Sequence, residues 1–276
     1  MAATRLPTYF ITHGGGPWPY MKAEMGGVFD QLEQSIVDIR QALGERPRAV
    51  LMISGHWETP GFAVSSGATP GMVYDYYGFP EHTYHIHYKA PGSPELAERV
   101  ADLLRAGGLP VRSDPERGYD HGTFSIMKPL YPDEDVPVVQ LSLEAGLDPA
   151  LHLEVGRRLA PLRDEGVLII GSGSSYHNLR TRDARAIEPS RLFDGWLQQS
   201  LVEALPEARS RALIEWENAP AARLAHPREE HLLPLMVTVG AAEGEPGARI
   251  YHEDGLLGFW TVSSFRFGDV PSLAKS

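Results

Sequence analysis

The chain of 276 residues contains no cysteine, which removes disulfides, zinc fingers, iron–sulfur clusters and thiol nucleophiles together. Any metal it binds must therefore sit on His, Asp or Glu. Basic residues do not cluster beyond a pair such as Arg157-Arg158, and 25 Lys and Arg stand against 36 Asp and Glu, a net charge of -11. Such a surface argues against a nucleic-acid partner. No stretch approaches the roughly 18 apolar residues of a membrane span. Met1 to Pro7 lacks the basic and apolar stretches of a signal peptide, so a soluble cytoplasmic protein is expected. Internal repeats and disordered linkers are missing too, and nothing in the sequence speaks to oligomeric state.

With 42% apolar residues, the chain can bury one large core, and a single domain over 1–276 is expected. Short apolar, β-branched runs alternate with longer helical patterns, the mark of an α/β fold: a mostly parallel or mixed sheet flanked by helices. Thr8 to Thr12, Ala49 to Ser54, Val136 to Leu143 and Val167 to Gly171 read as core strands, with later strands at Tyr251 and Phe259 to Phe265. Helical spacing marks Val28 to Leu43, Pro94 to Leu104, Pro149 to Leu162, Arg191 to Leu205 and Pro227 to Val239. Gly67 to Pro94, rich in Tyr, Gly, Pro and His, reads as a long functional loop or lid.

Eleven histidines matter less for their number than for their places. Tyr9-Phe10-Ile11-Thr12 delivers His13 to a glycine turn, and Val50 to Gly55 delivers His56 in the same way. Leu168 to Ser175 leads to Tyr176 and His177. Three histidines thus follow strands, where open α/β sheets build their sites. His121 in Asp-His-Gly-Thr and the pair in His226-Pro-Arg-Glu-Glu-His231 are further contributors. If Pro227 opens a helix, His226 and His231 are separated by about 500° of rotation, so only one reaches a given metal; His231 is preferred. A lone histidine is more often a surface group or a satisfied core residue, and it is the recurrence at strand ends that argues otherwise. His85 and His87 alternate at strand period and would share a face, which suits a wet strand or lid better than a metal site.

These segments resemble the class III extradiol ring-opening dioxygenases, in particular their DOPA-dioxygenase-like branch. The likeness covers most of the chain and rests on THGGGP at His13, SGHWE at His56, YDYYGFPEHTYHIHY from Tyr74, DHGTF at His121, GSGSSYHNLR at His177 and HPREEHLLPL at His226, in that order. The resemblance implies a mononuclear Fe(II) site that often carries zinc when purified, a catechol substrate and O2. It implies His13, His56 and His231 as metal ligands, His177 as the acid/base residue and His121 in contact with substrate or oxygen. Relatives that use two histidines and a carboxylate keep Glu230 in reserve as third ligand.

A metal held by imidazoles with open positions can receive a catechol through both oxygens, and an imidazole base, which ordinarily titrates near pH 6.5, would ease its second deprotonation. Tyr74, Tyr76, Tyr77 and Phe79 are expected to form an aromatic wall over the ring, with Tyr77, Tyr74 and His226 as substrate-binding residues. The competing reading is a zinc hydrolase in which His177 or Glu58 shuttles protons to a metal-bound water. A non-enzymatic metal-storing module is a further possibility. A serine nucleophile at Ser174 or Ser175 fails on pattern, because Tyr176 or His177 stands where the nucleophile elbow needs glycine.

Overall fold

The computed structural model describes residues 5–270; residues 1–4 of the N-terminal stretch and the last six of the expected 1–276 domain lie outside the described residues. Eight strands form one sheet: β1 (Thr8–Thr12), β2 (Ala49–Thr59), β3 (Phe62–Ser65), β4 (Val111–Asp114), β5 (Val138–Glu144), β6 (Val167–Gly173), β7 (Gly247–Leu256) and β8 (Trp260–Phe267), in the order β4-β3-β5-β2-β6-β1-β8-β7. The four central strands, β5, β2, β6 and β1, are mutually parallel, while β3 and β8 join them antiparallel on either side. The sheet is therefore mixed, with a parallel heart. The sequence explains this, since β1, β6 and the first half of β2 are apolar runs buried on both faces.

The longer helices are α1 (Asp30–Leu43), α2 (Pro94–Ala106), α3 (His121–Leu130), α4 (Pro149–Leu159), α5 (Ile187–Gln198), α6 (Pro206–Ile214) and α7 (Leu233–Ala241). Caps fix three of their starts: Ser93 Oγ accepts from Leu96 N, Asp120 Oδ1 from Thr123 N and Asp148 Oδ1 from Ala150 N. None of the described helices is long and apolar enough to cross a membrane.

Alternation along β6 separates two helical layers. A Cβ at Gly171 or Gly173 would run into the Pro234 or His231 carbonyl, so that face carries α7, with α4 packed against it. Ser172 points the other way and its hydroxyl donates to Gly122 O of α3. The strand ends are level, because Thr12 pairs with Gly173 and Ser54 with Ser172.

Several expected boundaries move, each for a physical reason. Strand β2 does not stop at Ser54. It bulges, so that residues 54–57 face a single residue of β5, and pairing resumes at Glu58 with Leu143; His56 is thrown out of the ladder by that bulge. The helix expected from Pro227 begins at Leu233, with Pro234 in its first turn, so His231 sits in the preceding turn rather than on the helix. The expected Arg191 to Leu205 helix starts earlier, at Ile187, because Pro189 fits a first turn whose N–H groups need no partner. It then passes into a π turn over Gln199–Glu203. Between Gly67 and Pro94 the only regular element among the described residues is the turn Glu81–Tyr84. His85 follows it in a bend, and both His85 and His87 are exposed.

Candidate metal centre

Five histidines meet above the level ends of β1, β2 and β6. His13 follows β1 directly, its N–H donating to Gly173 O and its carbonyl accepting from the Trp18 indole at 2.7 Å. His56 comes from the β2 bulge. His121 enters from the α3 layer as the first residue of that helix. His231 and His177 enter from the α7 layer, where Ser174 N donates to His231 O. Glycine makes this approach possible: a Cβ at Gly173 would stand 2.1 Å from His231 O, and one at Gly55 3.3 Å from His231 Cα. The glycines of SGHWE and GSGSS therefore serve close packing of three backbone segments.

The Nε2 atom of His56 lies 3.2 Å from that of His13 and 3.0 Å from that of His231. Two nitrogens bound to one ion at about 2.0–2.1 Å stand roughly 3 Å apart, so this spacing fits a shared cation. Hydrogen bonding leads to the same conclusion. His231 Nδ1 faces Glu230 Oε1 at 3.0 Å and His56 Nδ1 faces Asp75 Oδ2 at 3.4 Å. A carboxylate only accepts, so the His231 proton belongs on Nδ1, while the His56–Asp75 contact is at ion-pair distance and is not a hydrogen bond. The His231 Nε2 lone pair is then directed at His56 Nε2 across 3.0 Å, the place a shared cation would take.

Burial holds His13, His56 and His231 well below the usual imidazole range, and the neighbouring histidines push in the same direction. Neutral imidazoles are the form that binds metal. Ligand-type atoms of His13, His56 and His121 also lie within 4.8 Å of one another, as do those of His177, Glu230 and His231. The second grouping is a hydrogen-bond fork: Glu230 Oε1 faces His231 Nδ1 at 3.0 Å and His177 Nδ1 at 3.1 Å. Burial opposes ionisation of Glu230, but the His177 hydrogen bond, with Arg228 nearby, outweighs it and holds the carboxyl below its ordinary range. Glu230 thus lies behind the imidazoles. The His177 and His231 rings stack, 3.3 Å between centroids and 14° between planes.

Two expected substrate contacts are not in the cluster. Tyr77 is 92% exposed, since Gly78 turns the chain there with φ +77. His226 is fully buried, its Nε2 on Ser175 O and its ring against Phe193 and Trp216, one layer behind His177. Tyr74 donates to Ile86 O and packs on Tyr76 and Tyr84. It is Tyr76 that faces the histidines, 6.0 Å from the His121 ring and 6.3 Å from Phe124, with its hydroxyl on Thr83 O. Asp75, which sequence reasoning passed over, reaches both His121 and His56; its place between two tyrosines in YDYYGFP was the available signal.

Residues 7–259 match the family model described as the catalytic LigB subunit of aromatic ring-opening dioxygenase. The chain belongs to the LigB family. Similar proteins include one named 4,5-DOPA dioxygenase extradiol from Beta vulgaris, 38% identical over 94% of this chain and 96% of that one. A protein of the same name from Escherichia coli strain K12 is 35% identical over 97% of both. The dioxygenase tasH of Hapsidospora irregularis is 38% identical over 92% of this chain and 85% of its own. The crystal structure of an uncharacterized Escherichia coli K12 protein superposes with a TM-score of 0.76 at 31% identity, covering 96% of this chain and all of the other. This LigB protein is accordingly a metal-dependent extradiol ring-opening dioxygenase, acting on a small molecule and O2, and the hydrolase reading is not favoured. Glu58, assigned a proton-shuttling role in that reading, is held by the Arg228 guanidinium.

Proposed function

We propose that the chain opens the ring of a catechol of the DOPA kind, with His13, His56 and His231 holding one divalent metal, His177 as acid/base residue and His121 on the substrate side. The observation that carries this is the convergence of three Nε2 atoms at 3.0 and 3.2 Å with the His177 ring stacked on one of them. Fe(II) is the metal assigned to turnover, because it supplies both charge for the catecholate and redox chemistry toward O2, whereas zinc, the expected occupant on isolation, has no redox chemistry.

The side chains divide the remaining work. His177 donates its Nδ1–H to Glu230 in a hydrogen bond, so its Nε2 is the atom left to take a catechol proton. His121 donates its Nδ1–H to Asp75 Oδ1 in a 2.9 Å hydrogen bond, which leaves its Nε2 as an acceptor toward the substrate. Tyr76, Phe79, Tyr84 and Phe124 form an apolar wall beside His121, and that wall excludes water from the same side. DOPA enters as substrate class through the names of the relatives.

Anaerobic reconstitution of metal-free protein with Fe(II) or Zn(II), then exposure to air with DOPA, caffeate or protocatechuate, tests the assignment. A yellow ring-opened product and O2 uptake are expected with Fe(II) alone. A His177→Ala variant should keep its metal and lose roughly 10²- to 10⁴-fold in rate. Product from protocatechuate but not DOPA would overturn the substrate class, and an undiminished rate in His177→Ala would remove its role.

A further inference from the structure

Two carboxylates stand behind the histidines, and each serves two rings. Asp75 Oδ1 accepts from the backbone N–H of His121 at 3.0 Å and from its Nδ1 at 2.9 Å, while Oδ2 lies 3.4 Å from His56 Nδ1. On the opposite layer, Glu230 Oε1 accepts from Nδ1 of both His231 and His177. Neither carboxylate can donate. Three rings, His121, His231 and His177, thereby carry their proton on Nδ1 and present Nε2 inward, and His56 Nδ1 lies at ion-pair distance from Asp75; among these five rings, only His13 Nδ1 is buried without a partner.

We propose that Asp75 and Glu230 are paired positioning residues, each locking one metal ligand and one proton-handling or substrate-facing histidine into the same tautomer, so that the metal set and the catalytic set are oriented together. This rests on the reading of His56 and His231 as ligands. It adds an electrostatic consequence: two outer carboxylates bring two negative charges beside the place of a divalent cation and make the assembly formally neutral. It also ties the Gly67 to Pro94 loop to the metal centre, since Asp75 is the loop residue that reaches both His56 and His121. On the other layer Arg228, bridged to Glu58, stands 3.6 Å from Glu230 Oε2 and supports its ionised form.

The amide variants separate orientation from charge. In Asp75→Asn the amide oxygen can satisfy the two His121 N–H groups, but its NH2 then faces His56 Nδ1 and drives the His56 proton to Nε2, where it blocks ligation. In Glu230→Gln both rings use one oxygen position, so an amide oxygen there preserves both tautomers and only the charge is lost. Chelator competition with Zn(II) and two-bond 15N–1H imidazole spectra of the metal-free proteins read these effects without any turnover.

A 10- to 100-fold rise in the Zn(II) Kd of each variant is expected, with a changed tautomer at His56 in Asp75→Asn alone. Wild-type affinity and wild-type tautomers in both variants would overturn the proposal. Should Asp75→Asn fail to fold, Glu230→Ala, which removes the acceptor shared by His231 and His177, decides: wild-type Zn(II) affinity together with wild-type tautomers at both rings there refutes the pairing. A wild-type protein that takes up no Zn(II) would instead sink the ligand assignment, and the wild-type spectrum would still decide the carboxylates' role, Nδ1–H on all four rings supporting it and Nε2–H on His56 or His231 overturning it.

Discussion

His13 and Tyr77 both sit beside glycines, and both stood out in the sequence as candidate site residues, yet one is 3% exposed within the metal cluster and the other is 92% exposed. The difference lies in what holds the backbone on either side. His13 follows a strand whose register with β6 runs from Thr8–Ile169 to Thr12–Gly173, so its position is set by five paired residues and its turn is pinned by the Trp18 indole. Tyr77 belongs to a long loop, where each side chain's direction depends on contacts made far away in sequence. A sheet end converts sequence position into spatial position; a loop does not.

The largest expected effect lies on the sheet side. His56→Ala removes the nitrogen that faces both other Nε2 atoms, and metal stoichiometry measured by atomic absorption should fall below half. The loss of affinity should exceed the 10- to 100-fold that removal of an outer-shell partner brings. Retention of one tightly bound metal in this variant would move the site to the other histidine grouping and break the comparison at its root.

The same contrast decides how much was legible beforehand. The strand-end histidines could be read because apolar β-branched runs mark parallel core strands and the ends of such strands share a rim. Helix α3 was missed because nine of its ten residues are buried, so it shows no amphipathic period, and it carries Gly122 and Pro129. Strands β3 and β4 are only four residues each, too short for alternation to register. The roles of Asp75 and Glu230 were hidden for a different reason: a carboxylate's partner is set by tertiary contact, and Glu230 looks the same in sequence whether it binds the metal or orients a ligand. His226 shows the converse, since a histidine flanked by a helix signal proved to be a core residue on a backbone carbonyl.

Within the loop, Tyr76→Ala should have the next largest effect. Its ring packs on Phe79, Tyr84, Phe124 and His121, and truncation of a buried aromatic costs about 3–5 kcal/mol. Thermal unfolding should show this, and KM for the catechol should rise because the wall beside His121 is lost.

Acid separates the buried histidines from the rest of the chain. Burial pushes His226 down to about 3 and holds His13, His56 and His231 well below the ordinary range. These rings stay neutral in the folded protein while the unfolded chain takes up protons below about pH 6.5. Their contribution is therefore full above pH 6.5 and is lost as pH falls toward 3, at up to about 1.4 kcal/mol per pH unit for each ring. The Tm of metal-free protein should be level from pH 8 to 7 and drop steeply by pH 5; a flat profile would show that the rings are not buried neutral.

Gly173→Ala probes the floor of the site. The new Cβ would meet His231 O at 2.1 Å, a backbone atom that cannot swing aside. A cost of about 1–3 kcal/mol is expected from overpacking, together with weaker Zn(II) binding as the His231 turn is pushed off β6. A drop in Tm with unchanged affinity would mean that the turn moves without carrying the imidazole.

Tyr77→Ala carries the smallest expectation and the sharpest use. A side chain 92% exposed has little to lose on truncation, and surface substitutions generally stay within about 0.5 kcal/mol. Unchanged Tm and unchanged catechol KM would assign the aromatic wall to Tyr76 and its neighbours alone. A raised KM with an unchanged Tm would mean instead that Tyr77 meets the substrate, and so that the loop closes over the site when substrate arrives. The comparison between sheet and loop would then become one between a fixed half and a moving half, with Asp75, two residues from Tyr77, as the point where the motion reaches the metal.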